Sequence, residues 1–169
     1  MASSKAEKSI APIVLGSLAL FLLGVIGTVT LPFYDSSMQK PNANAELRHY
    51  APNTPEARGR ALYIREGCHV CHTQFVRPVK ADSNLGPVSA AGDYFYDAPP
   101  LLGTVRTGAD LMWVGKRWNK EWLIRNLKNP REMLPGSNMP RYDYLTDQEL
   151  SDLAAYLMSL RPAPQAEGR

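Results

Sequence analysis

From Ser9 to Tyr34 the chain carries no charged residue, and Ile10 to Leu31 is an almost unbroken succession of Ile, Val, Leu, Ala, Phe and Gly. As a helix rising 1.5 Å per residue this run would span roughly 33 Å, close to the ~30 Å hydrocarbon core of a bilayer. It predicts one membrane-spanning helix. A cleaved signal peptide has an apolar core of only about 7–15 residues with small residues close behind, whereas the Ala43-Asn44-Ala45 triplet lies too far downstream. The run is apolar all round, unlike the one-sided stripe of a helix on a soluble core. Pro12 falls in the first turn, where its missing donor is harmless. Lys5 and Lys8 precede the span, and short basic flanks stay in the cytoplasm, so everything after Leu31 is expected on the outer side. Phe33 and Tyr34 fall where an interfacial aromatic belt belongs.

The expected organisation is a cytoplasmic tip and anchor (1–34), a Ser/Asn/Ala/Pro-rich linker (35–54), a folded domain (55–161) and a short tail (162–169). A chain of 169 residues leaves room for one modest domain, which excludes a large enzyme. A net charge of +3, with no basic run interleaved with aromatics, excludes a nucleic-acid binder. Fourteen prolines point to short helices in a loop-rich body, and two cysteines cannot build a disulfide framework.

Those two cysteines stand in Cys68-His69-Val70-Cys71-His72. Two thiols separated by two residues, with histidine directly after the second, form the attachment signature of c-type haem. The short turn lets one backbone segment reach both vinyl edges of a porphyrin, and the next residue, His72, is then placed to supply a nitrogen to the iron. A zinc knuckle would need four ligands, and beyond this set only His49 and His69 remain. A redox dithiol would need a βαβ context that the sequence lacks. His69 is expected to be a solvent-facing spacer.

A low-spin electron carrier needs a second axial ligand, and a thioether would raise the potential while closing the iron to substrates. Of six methionines, Met139 stands in the irregular stretch Leu134–Pro140, where a side chain can be aimed across a pocket; Met112 is the fallback. Thr54 and Pro55 open a helix toward Gly67, with Ala57, Ala61 and Ile64 on one face. Asn119 caps another through Lys128. Thr146-Asp147-Gln148-Glu149 is a capping box before Leu150, Leu153, Ala154, Leu157 and Leu160. Gly59 would let the first and last of these helices cross closely. Helix, haem motif, long loop region, methionine loop and final helix is the order of an all-α class I cytochrome c, here tethered by one N-terminal transmembrane helix.

Longer blocks narrow the reading. Gly59–Gly67, Thr73–Pro78, Ala91–Asp97, Arg106–Leu111, Val114–Arg117 and Asn138–Tyr142 together resemble the monohaem cytochrome c subunit (subunit II) of cbb3-type cytochrome c oxidases, over nearly the whole chain after Thr54. The resemblance implies one haem c joined through Cys68 and Cys71, with His72 and Met139 as axial iron ligands. It also implies a single-pass protein of the bacterial inner membrane with its cytochrome domain in the periplasm. Its partners would be the haem-copper catalytic subunit, other membrane subunits and a cytochrome c donor, as part of a respiratory chain, with no catalytic site of its own. Ala98 and Ala109 depart from the family pattern, which often has histidine and proline there. The related cytochrome c subunit of nitric oxide reductase stays open as an alternative. So do a free membrane-tethered electron shuttle and a haem sensor or peroxidase with an open iron. Arg77 and Trp118 are candidates for the haem edge. The basic stretch Lys116–Arg131 would serve haem propionates, an acidic partner or only a solvated helix face.

Overall fold

The apolar N-terminal run forms one helix, α1 (Ala11–Phe33), in a computed structural model that describes residues 9–164. None of its residues is buried against the rest of the chain, as expected of a surface that lipid rather than protein covers. Between Ile26 and Thr30 the helix widens into a π-helical stretch. Pro32 follows directly, and a proline can neither donate to the carbonyl four residues back nor fit against it in tight α geometry. Lys5 and Lys8, which carry the orientation argument, lie outside the described residues.

The chain divides into two compact units at Lys40/Pro41. The first ends with a short helix, α2 (Ser36–Gln39), capped by the Asp35 carboxylate accepting from Ser37 N at 2.8 Å. The second is all-α, with no strand among the described residues. It begins earlier than the linker reading placed it. Residues 41–54 belong to this unit, and its helix α3 (Ala43–Leu47) buries Ala45 completely. The small polar residues that read as linker are what let this segment dock. Asn42 and Asn44 donate to the buried carboxylate of Asp93 at 2.8 and 3.1 Å, and Asn44 Oδ1 accepts from Ala163 N at 2.6 Å. That last bond also ties the described start of the expected tail to the folded unit.

The core is the crossing of α4 (Pro55–Arg65) and the C-terminal helix α9 (Asp147–Ser159). Both start as their sequences predict. Thr54 accepts from Ala57 N, and Thr146 and Glu149 cap each other's backbone reciprocally. Gly59 makes the crossing possible, since a Cβ there would lie 2.0 Å from Asp152 O and 2.8 Å from Tyr156 Cβ. The buried stripe of α4 is therefore Gly59, Leu62 and Tyr63, while Ala61, expected on the inner face, is exposed. Arg58 closes the crossing from outside by a fork of hydrogen bonds to Asp152, at 2.7 and 2.9 Å. On α9 the expected stripe Leu150, Leu153, Ala154, Leu157 and Leu160 is buried throughout. Beyond the short helix α6 (Val114–Arg117), helix α7 (Lys120–Lys128) starts at Asn119, whose side chain accepts from Trp122 N, and buries Leu123 and Leu127 against this core.

Candidate functional site

Gly67 ends α4 in the left-handed region at φ +68°, a conformation that favours glycine, and the chain turns at once into one helical turn, α5 (Cys68–Cys71). This turn points the two cysteines differently: Cys68 is buried in the main apolar cluster and Cys71 is exposed. Burial, with the Glu66 charge adding, pushes the Cys68 thiol up to about 12. Among the described residues no group of three or more His, Cys, Asp or Glu side chains could hold a metal ion. His69 is half-buried rather than solvent-facing, with its Nδ1 enclosed and without a partner.

His72 follows in extended conformation. Its Nδ1 lies 2.8 Å from the carbonyl oxygen of Ala109. A carbonyl can only accept, so Nδ1 carries a proton, and the lone pair that a metal-ligating imidazole must offer falls to Nε2. The seat of His72 is cut for glycine on two sides. A Cβ on Gly108 would lie 2.4 Å from its Cε1, and one on Gly103, at φ +79°, would lie 2.3 Å from its carbonyl oxygen. Backbone bonds from Gly108 N to Cys71 O and from Leu111 N to Thr73 O, both 2.7 Å, latch this loop to the motif.

Behind the latch lies a charge network that the sequence did not announce. Arg106 donates to Thr73 Oγ1, to Phe75 O and to the carboxylates of Asp82 and Asp110. Arg77, a candidate for the haem edge, pairs with Asp82 at 2.9 Å. Two guanidiniums thus balance two almost fully buried carboxylates, which meets the condition for keeping charge inside a fold. The hydrogen bonds from Arg77 and Arg106 hold the Asp82 carboxyl well below the usual carboxylate range.

Met139 sits half-buried in the loop after α8 (Pro130–Met133) and packs against the same apolar cluster as Cys68. The loop is held by Tyr142 N donating to Leu127 O at 2.9 Å and by Met139 N donating to Ser137 Oγ at 3.2 Å. Asn126 of α7 directs its Nδ2 at the Met139 sulfur from 3.7 Å, while its Oδ1 is buried without a partner. Met112, the fallback ligand, is fully buried in a second cluster with Val76 and Trp113, its sulfur against Arg48. Trp118 stacks on Trp122 with ring centroids 4.0 Å apart. Much of the stretch 116–131 is engaged within the chain: Arg117 on Asp110 O, Arg125 on Glu132 and Lys128 on Asp147.

Asn126, Gly108 and Ala109 were not legible as site residues in the sequence. Each acts on a partner brought to it by the fold, although the Arg106–Leu111 block contains two of them.

An all-α domain with this motif, on a chain with one apolar helix fit to cross a membrane, is of the cytochrome type. The family model described as cytochrome c oxidase, mono-heme subunit/FixO matches residues 4–161, and the chain belongs to that family. Membership implies a haem, a role in electron transport and association with a haem-copper oxidase complex. Comparison with curated proteins finds no match.

Proposed function

We propose that the chain is the anchored cytochrome c of a cbb3-type terminal oxidase, taking electrons from a cytochrome donor and passing them to the haem-copper catalytic subunit. One haem c would be held by thioethers from Cys68 and Cys71, with His72 Nε2 and the Met139 sulfur as its axial ligands. The single observation that carries the reading is the hydrogen bond from His72 Nδ1 to Ala109 O, which orients the ring and leaves the other nitrogen available as a ligand. The apolar cluster that holds both Cys68 and Met139 supports it. A haem in this position supplies a one-electron couple. The residues around it keep the ligands still: the glycine seat fixes the imidazole, Asn126 restrains the thioether, and the Arg106 network braces the loop behind them. Ligands that do not move between redox states keep reorganisation small.

The short tether favours a fixed subunit over a roaming shuttle. Only residues 34–40 separate α1 from the second unit, a reach of at most about 25 Å even if fully extended. With residues 1–34 as a single-pass anchor, the domain would stand on the periplasmic side of the bacterial inner membrane. The test is isolation in mild detergent. The expected result is copurification with a haem-copper subunit and a low-spin, methionine-ligated spectrum that Met139→Ala abolishes. Purification as a lone monomer refutes the subunit role, and an unchanged spectrum in Met139→Ala refutes the ligand.

A further inference from the structure

The segment 75–105, which follows the haem motif, turns its carboxylates inward. All three of them, Asp82, Asp93 and Asp97, are buried. Twenty residues of the segment are exposed, and the only charged ones among them are two cations, Arg77 and Lys80. The stretch 116–147, of nearly equal length, instead exposes ten charged side chains of both signs, an ordinary solvated surface. In place of charge the segment presents Phe75, Val79, Val88, Phe95, Leu102 and Val105, and most of the large apolar side chains that the second unit exposes fall within it.

Hydrogen bonds gather these residues around one short run, 73–76. Gln74 N donates to Leu102 O and Ser89 N to Val76 O, each at 2.9 Å. Tyr94 Oη, next to Phe95 in the chain, donates to Gln74 O at 2.6 Å, and Arg106 Nη2, next to Val105, donates to Phe75 O at 2.7 Å. Surface that is depleted of charge and enriched in apolar and aromatic side chains marks the core of a protein interface. Twenty exposed residues match the roughly 20–30 that one side of a standard interface supplies.

We propose that 75–105 is the face on which a neighbouring protein subunit of the haem-copper complex packs, with an apolar patch edged by carboxylates that answer Lys80 and the half-exposed Arg77. The proposal rests on the subunit reading above and adds the face to it. Among the described residues no carboxylate pairs with Lys80, and Arg77 keeps 48% of its side chain exposed despite its bond to Asp82. A second copy of the chain would set this face against itself and bring its cations together with no exposed carboxylate to meet them. Lipid tails fit it no better, because the backbone is irregular outside two single 3-10 turns, and hydrocarbon cannot satisfy the polar groups of such a segment. A subunit seated here stands beside the haem motif, since Gly103 of this segment abuts the His72 carbonyl.

Affinity isolation of the full-length, haem-loaded chain from its membranes in mild detergent tests this, with the haem-copper subunit quantified in the eluate. Val88→Asp combined with Phe95→Asp should lower its recovery about tenfold or more, as loss of interface anchors predicts, while the absorption spectrum of the chain stays as in wild type. Lys80→Glu should lower it severalfold, and Glu121→Arg, on the exposed side of α7, should leave it unchanged. Full recovery with the double variant overturns the proposal and leaves the subunit role standing, whereas a wild-type chain that elutes alone overturns the subunit role and this face with it. Intact recovery in a double variant that has lost a homodimer, or binding to protein-free anionic vesicles, overturns the proposal in favour of those occupants. Should the double variant fail to fold, carbene footprinting of the wild-type complex against the wild-type chain expressed alone carries the test. Protection of 75–105 in the complex supports the face, and protection confined to 116–147 overturns it.

Discussion

Replacing Gly108 with alanine sets a methyl group against the whole edge of the His72 ring, 2.4 Å from Cε1, 2.7 Å from Nδ1 and 2.9 Å from Nε2. Ordinary contact begins near 3.4 Å, so the ring must retreat by about 1 Å. The 2.8 Å bond from Nδ1 to Ala109 O then stretches beyond hydrogen-bonding range. Loss of that bond costs about 0.5–1.5 kcal/mol, and overpacking about 1–3 kcal/mol. Alanine returns about 0.4–1 kcal/mol by restricting the unfolded chain. The net is a destabilisation of about 2–3 kcal/mol, or roughly 10 °C in Tm for a domain of this size. The spectrum should change with it, because an imidazole moved by about 1 Å no longer presents Nε2 as before. The assay is thermal unfolding by circular dichroism with the ferric absorption spectrum recorded in parallel. Gly16→Ala is the control, since a Cβ at Gly16 meets nothing within 4 Å. A Gly108→Ala protein with wild-type spectrum and a Tm within about 2 °C of the control would refute the close seating of His72.

Gly59→Ala drives a Cβ into the Asp152 carbonyl, backbone that cannot rotate away. Overpacking against rigid backbone, at the upper end of about 1–3 kcal/mol, less the gain of about 1 kcal/mol in helix propensity, should leave a loss of about 2 kcal/mol in denaturant unfolding. Asn126→Leu removes the donor facing the Met139 sulfur, and, with Met139 as the proposed ligand, exogenous imidazole should displace it about fivefold more readily in a spectrophotometric titration, as loss of ~1 kcal/mol predicts. Asp82 has a folded pKa depressed by Arg77 and Arg106, so its contribution is fully present above the unfolded value near 3.8 and is lost as pH falls toward the folded one. The Tm difference between wild type and Asp82→Asn should therefore stay constant from pH 7 to about 5 and shrink below pH 4; a gap that widens on acidification would contradict the pairing.

The features legible in the sequence are those whose partners lie within a few residues. Thr54 caps Ala57 three positions on, Asn119 caps Trp122, and Thr146 exchanges bonds with Glu149. Periodicity likewise marked the inner face of α9. Where helix orientation depended on a crossing, periodicity failed. On α4 the contact runs through Gly59, which turned Ala61 outward. Composition misled over residues 41–54, because asparagines that look like linker are equally good donors for a buried carboxylate.

By itself, then, the sequence determined that this chain has one helix fit for a membrane, an all-α domain and a thiol-histidine motif, because hydropathy, capping and short spacing are local properties. Tertiary structure alone decided which carbonyl orients His72, which asparagine faces Met139, and that Asp82, Asp93 and Asp97 all turn inward. Asn44 meets Ala163 across 119 positions and Arg106 meets Asp82 across 24. Contacts of that range are chosen by how the whole core packs, and no window along the chain contains both partners.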